Sequence, residues 1–145
     1  MFFGKCDLSL NEKNQVTLPS NFREAATNSV FVTQGFDRNL LLLTQKAFSS
    51  IYSHIKEISI SDPMARLLSR LFLGSAVEIQ VDSLGMVELP ASLCEYAILG
   101  KDIVVIGQGE YSEIWSSMLW QKQMDSLKDY DANSHRFEKF HVSLS

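Results

Sequence analysis

A chain of 145 residues is long enough to bury about two-thirds of its unfolded surface in one compact domain, so no disulfide or metal is needed for folding. The net charge of −4 excludes a protein that coats nucleic acid non-specifically, because such binding depends on many lysines and arginines neutralising phosphates. The longest apolar runs are too short to span a bilayer, so the sequence indicates no membrane role.

The first predicted element is a strand that leads into a polar turn. Leu8 and Leu10 alternate with polar neighbours, and this period of two is typical of a strand with one buried face. The sequence Asn-Glu-Lys-Asn at residues 11–14 then predicts the turn. Asn14 belongs to the residue types that accept a positive φ, so we expect it to close the turn.

A returning strand and a short helix follow this turn. Val16 and Leu18 are the buried positions of the strand, and Pro19 ends it because proline has no N–H to donate to a strand ladder. Asn21 and Glu24 have the spacing of a capping box, in which a side chain at the helix start bonds to the backbone three residues later. The sequence therefore predicts a helix that begins near residue 21.

A second strand pair and two longer helices complete the first half of the chain. Val-Phe-Val at 30–32 and Leu-Leu at 41–42 are the predicted strands, and a helix is predicted over 44–56. Another helix is predicted over 62–74, with Asp62 as its N-cap and Pro63 at its first position. Its apolar face is predicted to comprise Leu67, Leu68, Leu71 and Phe72.

The rest of the chain repeats this pattern. A shift of 71 (82 − 11) places residues 11–26 on 82–97, with five identities in sixteen positions where roughly one is expected from composition. Gly85 takes the place of Asn14, and Ser92 and Glu95 repeat the capping-box spacing. With a shift of 73, residues 30–32 lie on 103–105 and residues 41–42 on 114–115, and a helix is predicted over 117–128. The identities pair Val16 with Val87, Leu18 with Leu89, Pro19 with Pro90, Glu24 with Glu95 and Ala26 with Ala97.

These elements predict an α+β fold with a mainly β core. No flexible linker separates the two halves, so we expect one fused domain in which the helices 44–56, 62–74 and 117–128 pack on a shared core.

Short segments spread over residues 1 to 127 match those of one known family in order and spacing. Any one of them is a weak signal, but the series is specific. The segments are Met1-Phe2-Phe3-Gly4, Leu18-Pro19, Phe22-Arg23-Glu24, Arg70-Leu71-Phe72-Leu73-Gly74-Ser75-Ala76, Leu89-Pro90, and Glu113-Ile114-Trp115 before Trp120. On these residues the chain resembles the MraZ family of bacterial transcriptional regulators.

The resemblance implies a pseudo-twofold swapped-hairpin (double-split) β-barrel with short flanking helices, built from SpoVT-AbrB repeats at 5–47 and 76–119. It implies a ring of identical chains, and a cytoplasmic, nucleoid-associated repressor. The implied partner is double-stranded DNA, at repeated promoter sites upstream of the division and cell-wall gene cluster. Independently of the family, paired hairpins with outward-pointing turns are suited to entering a DNA groove.

The family's DNA-contacting signature is Asp-x-x-x-Arg in each hairpin turn, with another Arg near the start of the chain. Here the two arginine positions of the turns hold Gln15 and Met86, and Phe3 stands where the third is usual. Gln15 can still bind an adenine or a phosphate, whereas Met86 offers only apolar contact. The DNA-binding residues predicted from the resemblance are Lys5, Asn11, Lys13, Gln15, Asp82 and Met86.

Simpler interpretations of these residues stay open. On composition alone, Lys5 and Lys13 are more often solvated lysines at strand and turn edges, and Asn11 and Asp82 are first of all turn formers. The missing arginines and the acidic net charge also favour a second function. This alternative is an oligomeric protein-interaction scaffold with weakened or lost DNA binding.

The sequence predicts neither an enzyme nor a cofactor or small-molecule ligand. It contains no glycine-rich phosphate loop, no nucleophile motif and no close pairing of histidine with a carboxylate. Cys6 and Cys94 lack zinc-site spacing and are predicted to be buried thiols in a reducing cytosol. The three histidines, His54, His135 and His141, are expected to face solvent.

Overall fold

A computed structural model describes residues 2–26 and 28–141 and has an α+β fold with mainly antiparallel sheets, as predicted. Fourteen elements follow one another along this part of the chain. They are β1 (Phe2–Ser9), β2 (Gln15–Thr17), α1 (Ser20–Ala25), β3 (Ser29–Gln34), β4 (Leu40–Leu43), α2 (Gln45–Glu57), α3 (Pro63–Phe72), β5 (Val77–Gln80), β6 (Met86–Glu88), α4 (Ala91–Tyr96), β7 (Asp102–Gly109), β8 (Tyr111–Ser116), α5 (Ser117–Leu127) and α6 (Tyr130–Glu138).

The strands form a six-stranded sheet in the order β1-β7-β8-β4-β3-β5 and a two-stranded sheet of β2 and β6. In this sheet β1, β3 and β4 of the first half correspond to β5, β7 and β8 of the second half. Exchanging each strand for its counterpart gives the same strand order in reverse. The first strand of each half pairs antiparallel with the other half: β1 with β7, and β5 with β3. Each half of the chain therefore completes the sheet of the other.

One hydrophobic core contains residues from both halves. Val16 and Val87 are buried on the inner face of the two-stranded sheet, and Phe22 of α1 and Leu93 of α4 belong to the same cluster. A fully buried side chain of this size stabilises the fold by about 1.5–3 kcal/mol. Both halves therefore contribute to one core, which agrees with the absence of a linker between them.

The longer helices begin at polar caps. Thr44 caps α2 by accepting from the Ala47 N–H, and Asp62 caps α3 by accepting from the Met64 N–H at 2.9 Å, with Pro63 at the first position as predicted. The three helices span Gln45–Glu57, Pro63–Phe72 and Ser117–Leu127. The ranges predicted for them are 44–56, 62–74 and 117–128.

The capping boxes predicted for α1 and α4 are wrong. Both helices begin one residue after a proline, and Pro19 and Pro90 themselves occupy the N-cap positions without any side-chain hydrogen bond. With ψ near 140°, each proline already sets the entry of the chain into the helix. The helix therefore starts earlier than residue 21 or 92, and the polar side chains there are not at a cap.

The prediction for the cysteines is half right. Cys94 is buried, and this burial raises the pKa of its thiol above the ordinary value. Cys6, on the outer strand β1, is only half-buried. Cys6 lies on an edge strand, and within the described residues this strand pairs with β7 alone.

An apolar surface lies between α2 and α3. Phe72 is buried beside Phe48, whose ring stacks on Phe31 at 4.0 Å between centroids. Leu67, predicted to face inward on α3, is instead 53% exposed. Tyr52, Ile58 and Ile60 are exposed and line a groove of about 390 Å³ between the two helices; we call these three residues the α2–α3 surface. None of the helices described here has the length and apolar character needed to cross a membrane.

Candidate nucleic-acid interface

Turn 1, residues 11–14, is held by the side chain of Asn11. Its Oδ1 atom accepts hydrogen bonds from the backbone N–H of Lys13 and of Gln15, both at 2.9 Å. Asn14 closes the turn with φ of 59°, as predicted. The Nδ2 atom of Asn11 donates to Oε1 of Gln15 at 2.9 Å, so Asn11 also orients the side chain that is predicted to contact DNA.

Turn 2, residues 82–85, has the same construction. Oδ1 of Asp82 accepts from the backbone N–H of Leu84 and of Met86, both at 2.9 Å, and Gly85 closes the turn with φ of 81°. The turn-forming roles predicted for Asn11 and Asp82 are therefore confirmed. At the tip, Leu84 stands in the place of Lys13 and its side chain is 69% exposed.

The two-stranded ribbon of β2 and β6 connects the turns. Gln15 lies opposite Glu88 and Thr17 opposite Met86, and these four side chains share the outer face because Val16 and Val87 point inward. Each turn is also tied to the opposite strand: the Leu89 N–H donates to the Asn14 carbonyl at 2.8 Å, and the Leu18 N–H donates to the Gly85 carbonyl at 2.9 Å. The turns therefore lie at opposite ends of one ribbon, and a ribbon of this kind fits the DNA major groove.

Arg23 is the residue at this surface that the sequence reasoning did not select. It extends from α1 to turn 2, where its two terminal nitrogens donate to the carbonyls of Ser83 at 2.8 Å and Leu84 at 3.3 Å. It is exposed, so its guanidinium also faces solvent beside the turn. The shift of 71 places Cys94 opposite Arg23, so the repeat shows that the two copies differ here but does not show which turn the arginine contacts.

Turn 1 has no such clamp from α4. Cys94 stands in the place of Arg23 but points into the core, with its Sγ atom 4.0 Å from the Leu89 carbonyl. An open groove lined in part by Asn14, Ile98 and Leu99 occupies the corresponding space. Turn 1 is therefore the more open of the two.

Lys5 lies apart from both turns. It is on β1 opposite Ile106, four residues before the end of that strand, or roughly 13 Å along an extended chain. Its Nζ atom is 3.5 Å from Oδ1 of Asp7, and both side chains are well exposed, so this ion pair contributes little to stability. The structure thus groups Asn11, Lys13 and Gln15 at one turn and Asp82 and Met86 at the other, and leaves Lys5 away from them.

Cationic and acidic side chains lie close together at both turns. Lys13 follows Glu12 within turn 1, and Arg23 reaches from α1 to Ser83, the residue after Asp82. Along the described ranges 2–26 and 28–141, histidine, cysteine, aspartate and glutamate form no group of three that could hold a metal ion. The chemistry of this surface is therefore that of hydrogen bonding, charge and apolar contact.

Comparison with known proteins agrees with the duplicated fold. A sequence model of one family, described as "MraZ protein, putative antitoxin-like", matches residues 1–71 and again residues 72–140. Among the similar proteins are relatives that bear the name Transcriptional regulator MraZ, and three of them illustrate the match. That of Herpetosiphon aurantiacus is 34% identical over 129 residues, 89% of this chain and 90% of its own length. That of Carboxydothermus hydrogenoformans is 38% identical over 120 residues, 83% of this chain and 84% of its own. That of Alkaliphilus oremlandii is 29% identical over 143 residues, 98% of this chain and 100% of its own.

Two copies of a strand–turn–strand unit, each with an exposed turn, together with these relatives define the class as transcriptional regulators and not enzymes. The chain belongs to the MraZ family. The internal repeat and the resemblance inferred from the sequence are both confirmed by the double match.

Proposed function

We propose that this protein is a sequence-specific transcriptional regulator that binds double-stranded DNA through turns 1 and 2. The observation that carries the proposal is the β2–β6 ribbon, which has one buried face, one outer face and an exposed turn at each end. The major groove admits a two-stranded ribbon, and base edges there differ for every base pair. The names of the relatives point to the same function.

The residues of the two turns have different parts in this proposal. Lys13 binds a phosphate, and Gln15, oriented by Asn11, contacts an adenine edge. Arg23 adds a phosphate contact at turn 2. Asp82 maintains the conformation of turn 2, and Met86 contributes apolar contact. Lys5 acts outside the turns, on a neighbouring stretch of DNA backbone.

The finer architecture is part of the same proposal. The two halves, repeat 1 at 5–47 and repeat 2 at 76–119, form a pseudo-twofold swapped-hairpin barrel. The exchange of β1 and β5 between the halves supports this, as does the reversible order of the six-stranded sheet. A barrel would place both turns on one end of the domain, where they could engage one DNA duplex together.

Assembly into a ring raises the affinity of turns 1 and 2 for DNA. The three cations assigned to DNA, Lys5, Lys13 and Arg23, release few counterions per chain, so several chains side by side are needed for tight binding. The α2–α3 surface supports self-association because it exposes three large apolar side chains along one groove. Light scattering at micromolar concentration should give a mass several times that of the monomer, and a monomer alone would contradict the ring.

The proposed regulator is a cytoplasmic, nucleoid-associated repressor of the division and cell-wall gene cluster. The family resemblance alone supports this target, this compartment and the repeated promoter sites. The proposal therefore names the DNA to test first, namely the fragment upstream of the protein's own gene.

Fluorescence anisotropy with that fragment and a scrambled one, at several salt concentrations, tests the proposal. We expect preference for the native fragment and a slope of about 0.9 log units per phosphate contact per log unit of salt. Lys13→Ala with Gln15→Ala should lower the affinity for the native fragment at unchanged oligomer size. Lys122→Ala with Gln123→Ala, the same exposed residue types on α5, is the matched control and should bind like the parent.

The second candidate function is an oligomeric protein-interaction scaffold with weakened or lost DNA binding. The α2–α3 surface favours it, and so does the presence of Gln15 and Met86 at the family's arginine positions. Equal, weak binding to native and scrambled fragments by an assembled oligomer would support the scaffold and contradict the regulator.

A further inference from the structure

The tip of turn 2 is apolar where the tip of turn 1 is polar. Leu84 and Met86 occupy the positions that Lys13 and Gln15 hold in turn 1, and the Leu84 side chain is mostly exposed. Met86 is half-buried on the outer face of the ribbon, two residues further along. Two neighbouring apolar side chains thus replace a cation and an amide at the proposed DNA surface.

Few backbone N–H and carbonyl groups of turn 2 remain free to form a hydrogen bond with a base. Asp82 accepts from the N–H of Leu84 and of Met86, and Arg23 donates to the carbonyls of Ser83 and Leu84. The Gly85 carbonyl is bonded to the Leu18 N–H, and the Gly85 N–H to the Asp82 carbonyl. Because these groups are already paired, turn 2 can enter a groove without leaving them buried and unpaired.

An aliphatic tip of this kind matches one feature of the major groove. Thymine alone presents an apolar group there, its C5-methyl, whereas the other base edges present hydrogen-bond donors and acceptors. We propose that turn 2 recognises thymine through this methyl group, with Leu84 and Met86 as the contacting side chains. The inference rests on the DNA binding proposed above and specifies the base that turn 2 selects.

Arg23 makes this contact possible. Two of the five N–H donors of its guanidinium hold the turn carbonyls, and because the side chain is exposed, the other three are available to a phosphate. A phosphate bound there would fix how deeply Leu84 enters the groove.

Replacing thymine by uracil in the native upstream fragment removes the methyl groups and leaves the base pairing intact. Each thymine that contacts turn 2 should lose about three- to fourfold in affinity when changed to uracil, the equivalent of one buried methyl group. Leu84→Ala with Met86→Ala should weaken binding to thymine DNA by a similar factor and make the protein indifferent to uracil. Leu84 is exposed, so the variant with Leu84→Ala alone provides the same test without risk to the fold.

The control separates this inference from the proposed function. The Lys13→Ala with Gln15→Ala variant should bind more weakly but keep its relative sensitivity to uracil, because its turn 2 is intact. Equal binding of thymine and uracil DNA by a parent protein that still prefers the native fragment would overturn thymine recognition alone. Loss of that preference altogether would overturn the DNA-binding proposal and this inference with it.

Discussion

Turn 1 and turn 2 share one backbone conformation and differ in the side chains that it presents. Asn11 and Asp82 each accept two backbone N–H groups at the same distance, and Asn14 and Gly85 each adopt a positive φ. The exposed tips nevertheless carry a lysine in one case and a leucine in the other. The difference shows that the first residue and the last residue of the turn fix its shape, which leaves the residues between them free to change their chemistry.

The turns also differ in what supports them from outside. Arg23 reaches turn 2 from α1, while α4 has only the buried Cys94 at the equivalent position and sends nothing to turn 1. Two turns of equal shape are therefore held with unequal strength. Substitutions in the shared core should affect the two halves alike, whereas substitutions at the two turns should affect them differently.

The largest expected effect tests the core that the two halves share. Phe22 and Leu93 are equivalent by the repeat, and each is 2% exposed in the same cluster. Phe22→Ala should lower the free energy of unfolding by about 3–5 kcal/mol and Leu93→Ala by about 2–5 kcal/mol. Urea unfolding at fixed protein concentration, followed by circular dichroism and tryptophan fluorescence, should show one transition. Separate transitions for the two halves would contradict a shared core.

The next effect distinguishes the last residues of the turns. A Cβ atom on Gly85 would lie 2.8 Å from the Arg23 side chain, and alanine there must also adopt φ of 81°. Gly85→Ala should therefore cost about 2 kcal/mol, and Asn14→Ala, with the unfavourable φ alone, about 1 kcal/mol. When both substitutions are repeated in the Arg23→Ala variant, the two losses of free energy of unfolding should become similar. A difference that persists would show that Arg23 is not its cause.

The smallest effect isolates the clamp itself. Arg23→Ala removes two exposed hydrogen bonds and should cost about 1 kcal/mol of stability. Hydrogen exchange should quicken at the Leu84 and Met86 amides and stay unchanged at those of turn 1. Arg66→Ala is a matched control, because Arg66 also donates to two backbone carbonyls but lies on α3. Faster exchange in both turns would mean that the clamp acts on the whole ribbon.

Sequence reasoning predicted what depends on neighbours along the chain. The turn positions followed from Asn11 and Asp82, whose hydrogen bonds span two and four residues, and the repeat then predicted the strands that correspond to β6, β7 and β8. The capping boxes failed at the same local scale, because a proline had already taken the N-cap position that the Asn-x-x-Glu and Ser-x-x-Glu spacings seemed to define.

Contacts set by the exchange of strands could not be predicted in this way. Arg23 is 60 residues from Ser83, and only the antiparallel pairing of β2 with β6 brings α1 over turn 2. The apolar periodicity of α3 likewise indicates a face, but it does not say whether the same chain covers it, and Leu67 is in fact exposed. Both features depend on where distant segments lie.

The pairing of β1 with β7 has a consequence for how the protein is made. Phe2 lies opposite Gly109, so β1 can pair with β7 only after about a hundred more residues have been added to the growing chain. At 5–20 residues per second that wait lasts roughly 5–20 s. During this time β1 is an unpaired strand open to association with other nascent chains. Synthesis of this protein should therefore be unusually sensitive to the supply of chaperones that shield strand edges.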